Sequence, residues 1–187
     1  MLLLKMKIIK MEKKSKVEKT LKENIVFSGR VVTLHNDLVK CPNGVETTRE
    51  YVHHNGGVCI LAELNGKIAF VRQYRYAYRE EVLELPAGKL EKGENPYQAG
   101  LRELEEEIGY KAESLTSMGI LYPSVGYSNE VLHLYIANNI KKTNTHFDFD
   151  EDLDLVLLSK EEIKEKLDNN EIKDAKTIVL LTKYLYK

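Results

Sequence analysis

Gly88-Lys89-Leu90-Glu91-Lys92-Gly93-Glu94-Asn95-Pro96-Tyr97-Gln98-Ala99-Gly100-Leu101-Arg102-Glu103-Leu104-Glu105-Glu106-Glu107-Ile108-Gly109-Tyr110 is the stretch on which the reading of this chain turns. It describes a loop entering a helix whose two ends are both marked. Asn95 is a good N-cap, because its side-chain oxygen can accept from the first free backbone N–H groups, and Pro96 suits the first helical position, where no N–H is missed. Gly109 stands just past the end, where a left-handed cap is wanted. On a helix turning about 100° per residue, Tyr97, Leu101, Leu104 and Ile108 share one stripe, which predicts a core-facing side. Glu103, Glu106 and Glu107 follow at i, i+3, i+4 and form a second stripe on another face, with Glu105 pointing away from both.

Like charges at this spacing repel by a few tenths of a kcal/mol per pair in water, and by more where the face is partly buried. A hard divalent cation with a preference for oxygen ligands removes the conflict. Taken alone, such a cluster is more often a solvated acidic face. The letters around it reverse that reading. Gly88 is followed after five residues by Glu94, and after seven more by Arg102-Glu103-Leu104-Glu105-Glu106-Glu107-Ile108-Gly109-Tyr110. This resembles the Nudix box, in which Gly, Glu and Arg-Glu-hydrophobic-x-Glu-Glu-x-Gly-hydrophobic recur at these spacings. All seven fixed letters match, and a chance match over this chain is on the order of one in a million at average residue usage. Tyr110 at the last hydrophobic position is a mild variation.

The resemblance implies an α/β fold of the α+β type: an α/β/α sandwich around a mixed sheet, with an N-terminal β-hairpin extension. It implies hydrolysis of a pyrophosphate linkage, with Mg²⁺ (or Mn²⁺) as cofactor in two or more ions. Glu103, Glu106, Glu107 and the backbone carbonyl of Ala87 would be the metal ligands. Arg102 would orient the carboxylates through charge-assisted hydrogen bonds, and Glu94 would brace the loop–helix junction. The flanks, Gln73-Tyr74-Arg75-Tyr76 before Glu84-Leu85-Pro86-Ala87-Gly88, and Tyr122-Pro123-Ser124-Val125-Gly126-Tyr127-Ser128-Asn129-Glu130 after the box, look like the ADP-ribose pyrophosphatase subgroup. Val125 stands where that subgroup often has proline. The subgroup implies a nucleoside diphosphate sugar as substrate, ADP-ribose giving AMP and ribose 5-phosphate, and a homodimer. Other Nudix activities, on dinucleotide polyphosphates or altered nucleoside triphosphates, and a silent nucleotide-sensing module remain alternatives.

Substrate-contacting candidates are Arg75, Glu84, Tyr76, Gly126 and Glu130. Arg75 could grip phosphates with its planar fork, or be an ordinary surface arginine. Tyr74, Tyr76 and Tyr78 could pack one face inward, or form an aromatic wall for a base. For the general base the resemblance points to a loop before the last strand, here His146-Phe147-Asp148-Phe149-Asp150-Glu151-Asp152. Crowded acids raise one another's pKa, which suits a base. Glu151 has the longer reach, with Asp150 second, and a solvated acidic loop is the ordinary alternative. The histidines show no mutual ligand spacing.

Farther outward, Asn43-Gly44 separates Val31–Lys40 from Val45–His53, and Asn65-Gly66 separates Gly57–Leu64 from Lys67–Gln73. Both read as hairpins, since Asn-Gly tolerates positive φ at two successive residues. The apolar run Val58-Cys59-Ile60-Leu61-Ala62 reads as a strand covered on both faces, and Val131–Ala137 and Asp154–Leu158 as further strands. Two more helices are predicted, one starting near Lys160 and one over about Ala175–Tyr186. The domain reading is a basic tail over 1–24, either solvated or a frayed helix, a dimerising hairpin over 25–52, and a catalytic domain over 53–187. At 187 residues and net charge −1, the chain can bury a core without staples, and no overall field recruits nucleic acid or an acidic membrane. Leu2–Leu4 is too short for a membrane span. Met6 and Met11 are possible alternative starts. Cys41 and Cys59 form no metal-binding pair, and an unstapled fold suits a reducing cytoplasm.

Overall fold

The computed structural model describes residues 16–143 and 153–186. They fall into two compact units, divided between Val52 and His53.

The first unit is a sheet of four strands: β1 (Lys19–Lys22), β2 (Ile25–Ser28), β3 (Thr33–Lys40) and β4 (Glu46–His53). The Asn43-Gly44 turn joins β3 to β4, with Gly44 at φ 88°. β1 and β2 pair antiparallel with successive stretches of β3, Lys19 opposite Lys40 and Ile25 opposite His35, and β4 also pairs with β3. The lysine-rich stretch therefore differs from the reading of it as a tail or frayed helix: Lys19–Lys22 is a strand. Its side chains stay in solvent while its backbone groups complete the β3 ladder, and Arg49 forks the Glu18 carboxylate at 2.5 and 2.9 Å.

The second unit has β5 (Gly57–Leu61), β6 (Glu63–Leu64), β7 (Lys67–Arg75), β8 (Glu80–Glu84), β9 (Ala87–Lys89), α1 (Pro96–Ile108), β10 (Tyr110–Lys111), β11 (Ser114–Leu121), β12 (Leu132–Asn138), β13 (Lys141–Lys142), β14 (Leu153–Leu158), α2 (Lys160–Asp168) and α3 (Ala175–Leu185). One sheet runs β11-β12-β5-β9 and is mixed, since β12 and β5 are parallel and the other pairs antiparallel. A second is antiparallel, with β14, β6 and β8 all pairing with β7. The Asn65-Gly66 turn has both residues at positive φ, 52° and 79°, as a primed hairpin turn requires.

β5 shows why the layers form. It is wholly buried, and its side chains alternate between two cores. Val58 and Ile60 join Ala99, Leu104 and Ile108 of α1, while Cys59 and Leu61 join Ile163 of α2 and Leu180 and Leu181 of α3. Helices on both faces explain a strand apolar at every position. The unit is thus the α/β/α sandwich with a mixed sheet that the box implied, and its core fixes α1 against the strand that leads into the box.

Candidate active site

The local signals of α1 act as read. The Asn95 side chain accepts from the backbone N–H of Tyr97 at 2.9 Å, Pro96 opens the helix, and Gly109 closes it at φ 68°. Gly100 is pressed so close to Leu115 that a Cβ there would lie 2.8 Å from its side chain, which seats the helix deep on the sheet.

With α1 anchored, its acidic stripe faces β9. Glu107 is buried, and its carboxylate accepts from the N–H of Ala87 at 2.9 Å. The Glu103 carboxylate lies against Gly88, where an added Cβ would come within 1.8 Å of it, so only glycine permits the approach. Arg102 gathers the rest. Its Nε and Nη2 fork Glu94 at 3.0 Å each, while Nη1 donates to Glu103 at 2.9 Å and Glu106 at 2.7 Å. Glu94 also accepts from the N–H of Glu91, closing the loop ahead of the helix. The guanidinium holds the Glu94 carboxyl below the ordinary carboxylate value, and these carboxylates raise Arg102 further above its own. Three anions thus share one cation. Among the described residues no three acidic or histidine side chains already converge on a single point as metal coordination requires, because Glu103 and Glu106 turn to Arg102 instead. The donor set is nevertheless carboxylate oxygen throughout, and the glycine cradle brings one carboxylate onto the backbone, so the residues fit a hard divalent cation.

The substrate candidates separate into three places. Arg75, at the end of β7, forks Glu84 through Nε at 2.5 Å and Nη2 at 2.8 Å. Glu84, only 3% exposed, also pairs with Lys176, which in turn lies 3.0 Å from Asp174. Burial pushes the Glu84 carboxyl up, yet the two cations outweigh it and hold the group below its ordinary value. Tyr76 is exposed, as are Tyr74 and Tyr78, so the inward-packed reading of these tyrosines fails. The Arg79 guanidinium lies 3.5 Å over the Tyr76 ring, from a left-handed residue at φ 59°. Gly126 and Glu130 belong to the loop before β12. That loop is tied down at its end: Glu130 lies 3.4 Å from the His54 ring, and Asn129 accepts from the His54 N–H. Gly56 and Gly57 join this loop to the box. Gly57 donates to Val131 at 3.0 Å, Leu90 donates to Gly56 at 3.0 Å, and a Cβ on either glycine would meet a backbone oxygen at 2.7 Å. Asp150 and Glu151 lie outside the described residues.

Sequence reading missed Lys176 and the two glycines. Asp174 could have been read as the cap of α3, but nothing in the sequence tells that the lysine after it meets a glutamate 92 residues earlier.

Comparison with known proteins extends the geometry. The NUDIX domain family matches residues 52–181. A protein named methanol dehydrogenase activator, from Bacillus methanolicus, is 42% identical over 87% of this chain and 89% of its own length. An ADP-ribose pyrophosphatase of Bacillus subtilis strain 168 is 40% identical over 88% and 90%. The crystal structure of an ADP compounds hydrolase superposes with a TM-score of 0.81, covering 90% of this chain and 92% of that one at 22% identity, and so shares its fold. A family match over well more than half of the chain, with relatives this similar along most of their length, places the chain in the NUDIX domain family as a Nudix hydrolase.

Proposed function

We propose that this enzyme hydrolyses the pyrophosphate linkage of a nucleoside diphosphate sugar, with ADP-ribose yielding AMP and ribose 5-phosphate. The observation that carries the reading is the acidic stripe of α1, three carboxylates gathered between Arg102 and the Ala87–Gly88 backbone. Glu103, Glu106, Glu107 and the Ala87 carbonyl would hold Mg²⁺ or Mn²⁺, in two or more ions. Bound there, the cation neutralises phosphate charge and acidifies a water. The protein's own part is positional. Arg102 keeps the carboxylates aimed, Glu94 fixes Arg102, and the Nη1 of Arg75, the nitrogen not engaged by Glu84, is offered to the phosphates. Gly126 and Glu130 would border the sugar, with Tyr76 beside the base. The water's proton would pass to Glu151, or to Asp150. Amide variants followed by kcat against pH test that assignment, and less than a tenfold loss in both, below the usual contribution of a general base, removes it.

A panel of ADP-ribose, ADP-glucose, GDP-mannose, NADH, diadenosine polyphosphates and nucleoside triphosphates with Mg²⁺ tests the whole reading. ADP-ribose should give the highest kcat/KM. Preference for a polyphosphate or triphosphate moves the enzyme to another Nudix activity, and silence across the panel makes it a sensor. The name of the Bacillus methanolicus relative supports a second reading, in which the protein activates a dehydrogenase. Adding it to a methanol dehydrogenase with and without Glu106→Gln tests that reading.

We further infer a homodimer through the first unit, in a reducing cytoplasm. Ile25, Val26 and Phe27 of β2 are consecutive, and each is more than half exposed, so the strand carries a run of apolar side chains in solvent. No described helix is long and apolar enough to cross a membrane. A solution mass near the 21.5 kDa of one chain refutes the dimer.

A further inference from the structure

The group that aims Arg75 lies at the far end of the sequence. The first turn of α3 is docked on the end of β8 by several bonds. Asp174 caps the helix by accepting from the N–H of Thr177 at 3.0 Å, and the Thr177 hydroxyl, fully buried, accepts from the N–H of Leu85 at 2.8 Å. Lys176, with its side chain only 12% exposed, reaches past this turn to Glu84 Oε2 and keeps Asp174 at 3.0 Å. Glu84 spends its other bonds on Arg75, whose side chain is 39% exposed. The cluster holds two cations and two anions, so its charge is closed.

The docking of α3 does not rest on the lysine alone, since the Thr177 hydroxyl holds the N–H of Leu85 and Leu180 and Leu181 of the same helix are fully buried in the core. What the lysine changes is the charge that Glu84 presents to Arg75. With Lys176 on one oxygen, Glu84 is a half-neutralised anchor that orients the arginine fork through Nε and Nη2 and leaves Nη1 unengaged by it. Without it, a buried carboxylate with one cation draws that cation inward.

We propose that Lys176 is a positioning residue for Arg75, and through it a determinant of affinity for the substrate's phosphates. The proposal rests on the reading of Arg75 as the phosphate grip. Lys176→Met should raise the KM for ADP-ribose about tenfold and weaken ADP-ribose binding to the metal-free enzyme, measured by titration calorimetry, to the same extent, with kcat held within about threefold. Lys176→Arg should restore both values, and the effect should vanish in an Arg75→Met background, because the lysine acts only through the arginine. A folded Lys176→Met protein with lower thermal stability but unchanged KM and calorimetric affinity overturns the proposal, as does an equal effect in the Arg75→Met background. If Lys176→Met does not fold, Lys176→Gln keeps a polar side chain against Glu84 while removing the charge. It should still show the raised KM, and a KM at the wild-type value overturns the idea. Arg75→Met with unchanged KM overturns instead the phosphate reading of Arg75, whatever the lysine variants do.

Discussion

Around Arg102 one guanidinium meets the carboxylates of Glu94, Glu103 and Glu106, whereas around Glu84 two cations, Arg75 and Lys176, meet two anions, Glu84 and Asp174. The first cluster carries surplus negative charge and is about one third exposed at Arg102 and Glu106, while Glu84 in the second is almost wholly buried. A buried charge must be matched because nothing else can solvate it. A surplus can persist only where solvent or another cation reaches it. The two clusters lie in the same unit and are each built on an arginine forked onto a glutamate, so charge balance separates the one that holds a shape from the one suited to a further ligand.

If that contrast is right, removing a carboxylate has opposite consequences in the two places. Glu106→Gln should lower kcat by about 100- to 1000-fold, since several kcal/mol of transition-state stabilisation would pass through the cation that Glu106 is proposed to hold. Its unfolding free energy should stay within about 0.5 kcal/mol of wild type, because the lost pair with Arg102 is offset by relief of like charges along the helix. Steady-state kinetics and urea unfolding on one preparation read both numbers, and near-normal turnover in the folded variant ends the metal-site assignment. Glu84→Gln should do the reverse on stability and cost about 3 kcal/mol, because it takes from the buried Lys176 the nearer of its two anions. An unchanged urea midpoint there would mean that the cluster is solvated after all.

The contrast sharpens when the missing charge is supplied. Mg²⁺ binding only the folded state stabilises it by about 2.7 kcal/mol at a hundred times its Kd. The melting temperature should therefore rise with millimolar Mg²⁺ in the wild type, rise less in Glu103→Ala, and rise as much as in wild type in Lys176→Arg, whose change lies in the closed cluster. Equal shifts in wild type and Glu103→Ala would place the ion elsewhere.

How much of this could be read in advance follows the range of the interactions. α1 was legible to the residue, because Asn95, Pro96 and Gly109 are local instructions and the core stripe is periodic. The Asn-Gly hairpins were legible for the same reason, although the positive φ at both residues that the reading required is taken at Asn65-Gly66 and, in the other turn, at Gly44 alone. β11 was not read, and a bulge between Ser117 and Gly119 explains it: the extra residue shifts the in–out alternation midway, so no single period runs through the strand. β1 hid because a strand with all its side chains in solvent has no apolar signature, only a backbone one. The stripe of glutamates was visible as a face, but their meeting with Arg102 and Gly88 needs the loop to fold back. The Glu84–Lys176 pair could not be read at all, since a buried lysine and a surface lysine are spelled alike.

The smallest effect discriminates between the clusters by pH. Glu94 and Glu84 both sit below their ordinary 4.5, so each contributes stability that is complete above that value and lost as pH falls through the lower, folded-state value. Acid alone therefore cannot tell the two clusters apart. Alkali can. Lys176 is raised above its ordinary 10.5, the attraction of Glu84 and Asp174 outweighing the burial that opposes it. Its contribution is complete below 10.5 and lost as pH rises through the higher, folded-state value. Arg102 keeps its proton through the same range, so the open cluster loses nothing there. The difference in unfolding free energy between Lys176→Arg and wild type should thus be flat from neutral pH to about 10.5 and then turn in favour of the variant, because arginine stays charged where lysine does not. Comparing two proteins that share every other titrating group cancels the remaining lysines and tyrosines. A difference that stays flat through the alkaline limb would show that Lys176 is not held charged by Glu84, and the balanced cluster would lose the feature that sets it apart from the one around Arg102.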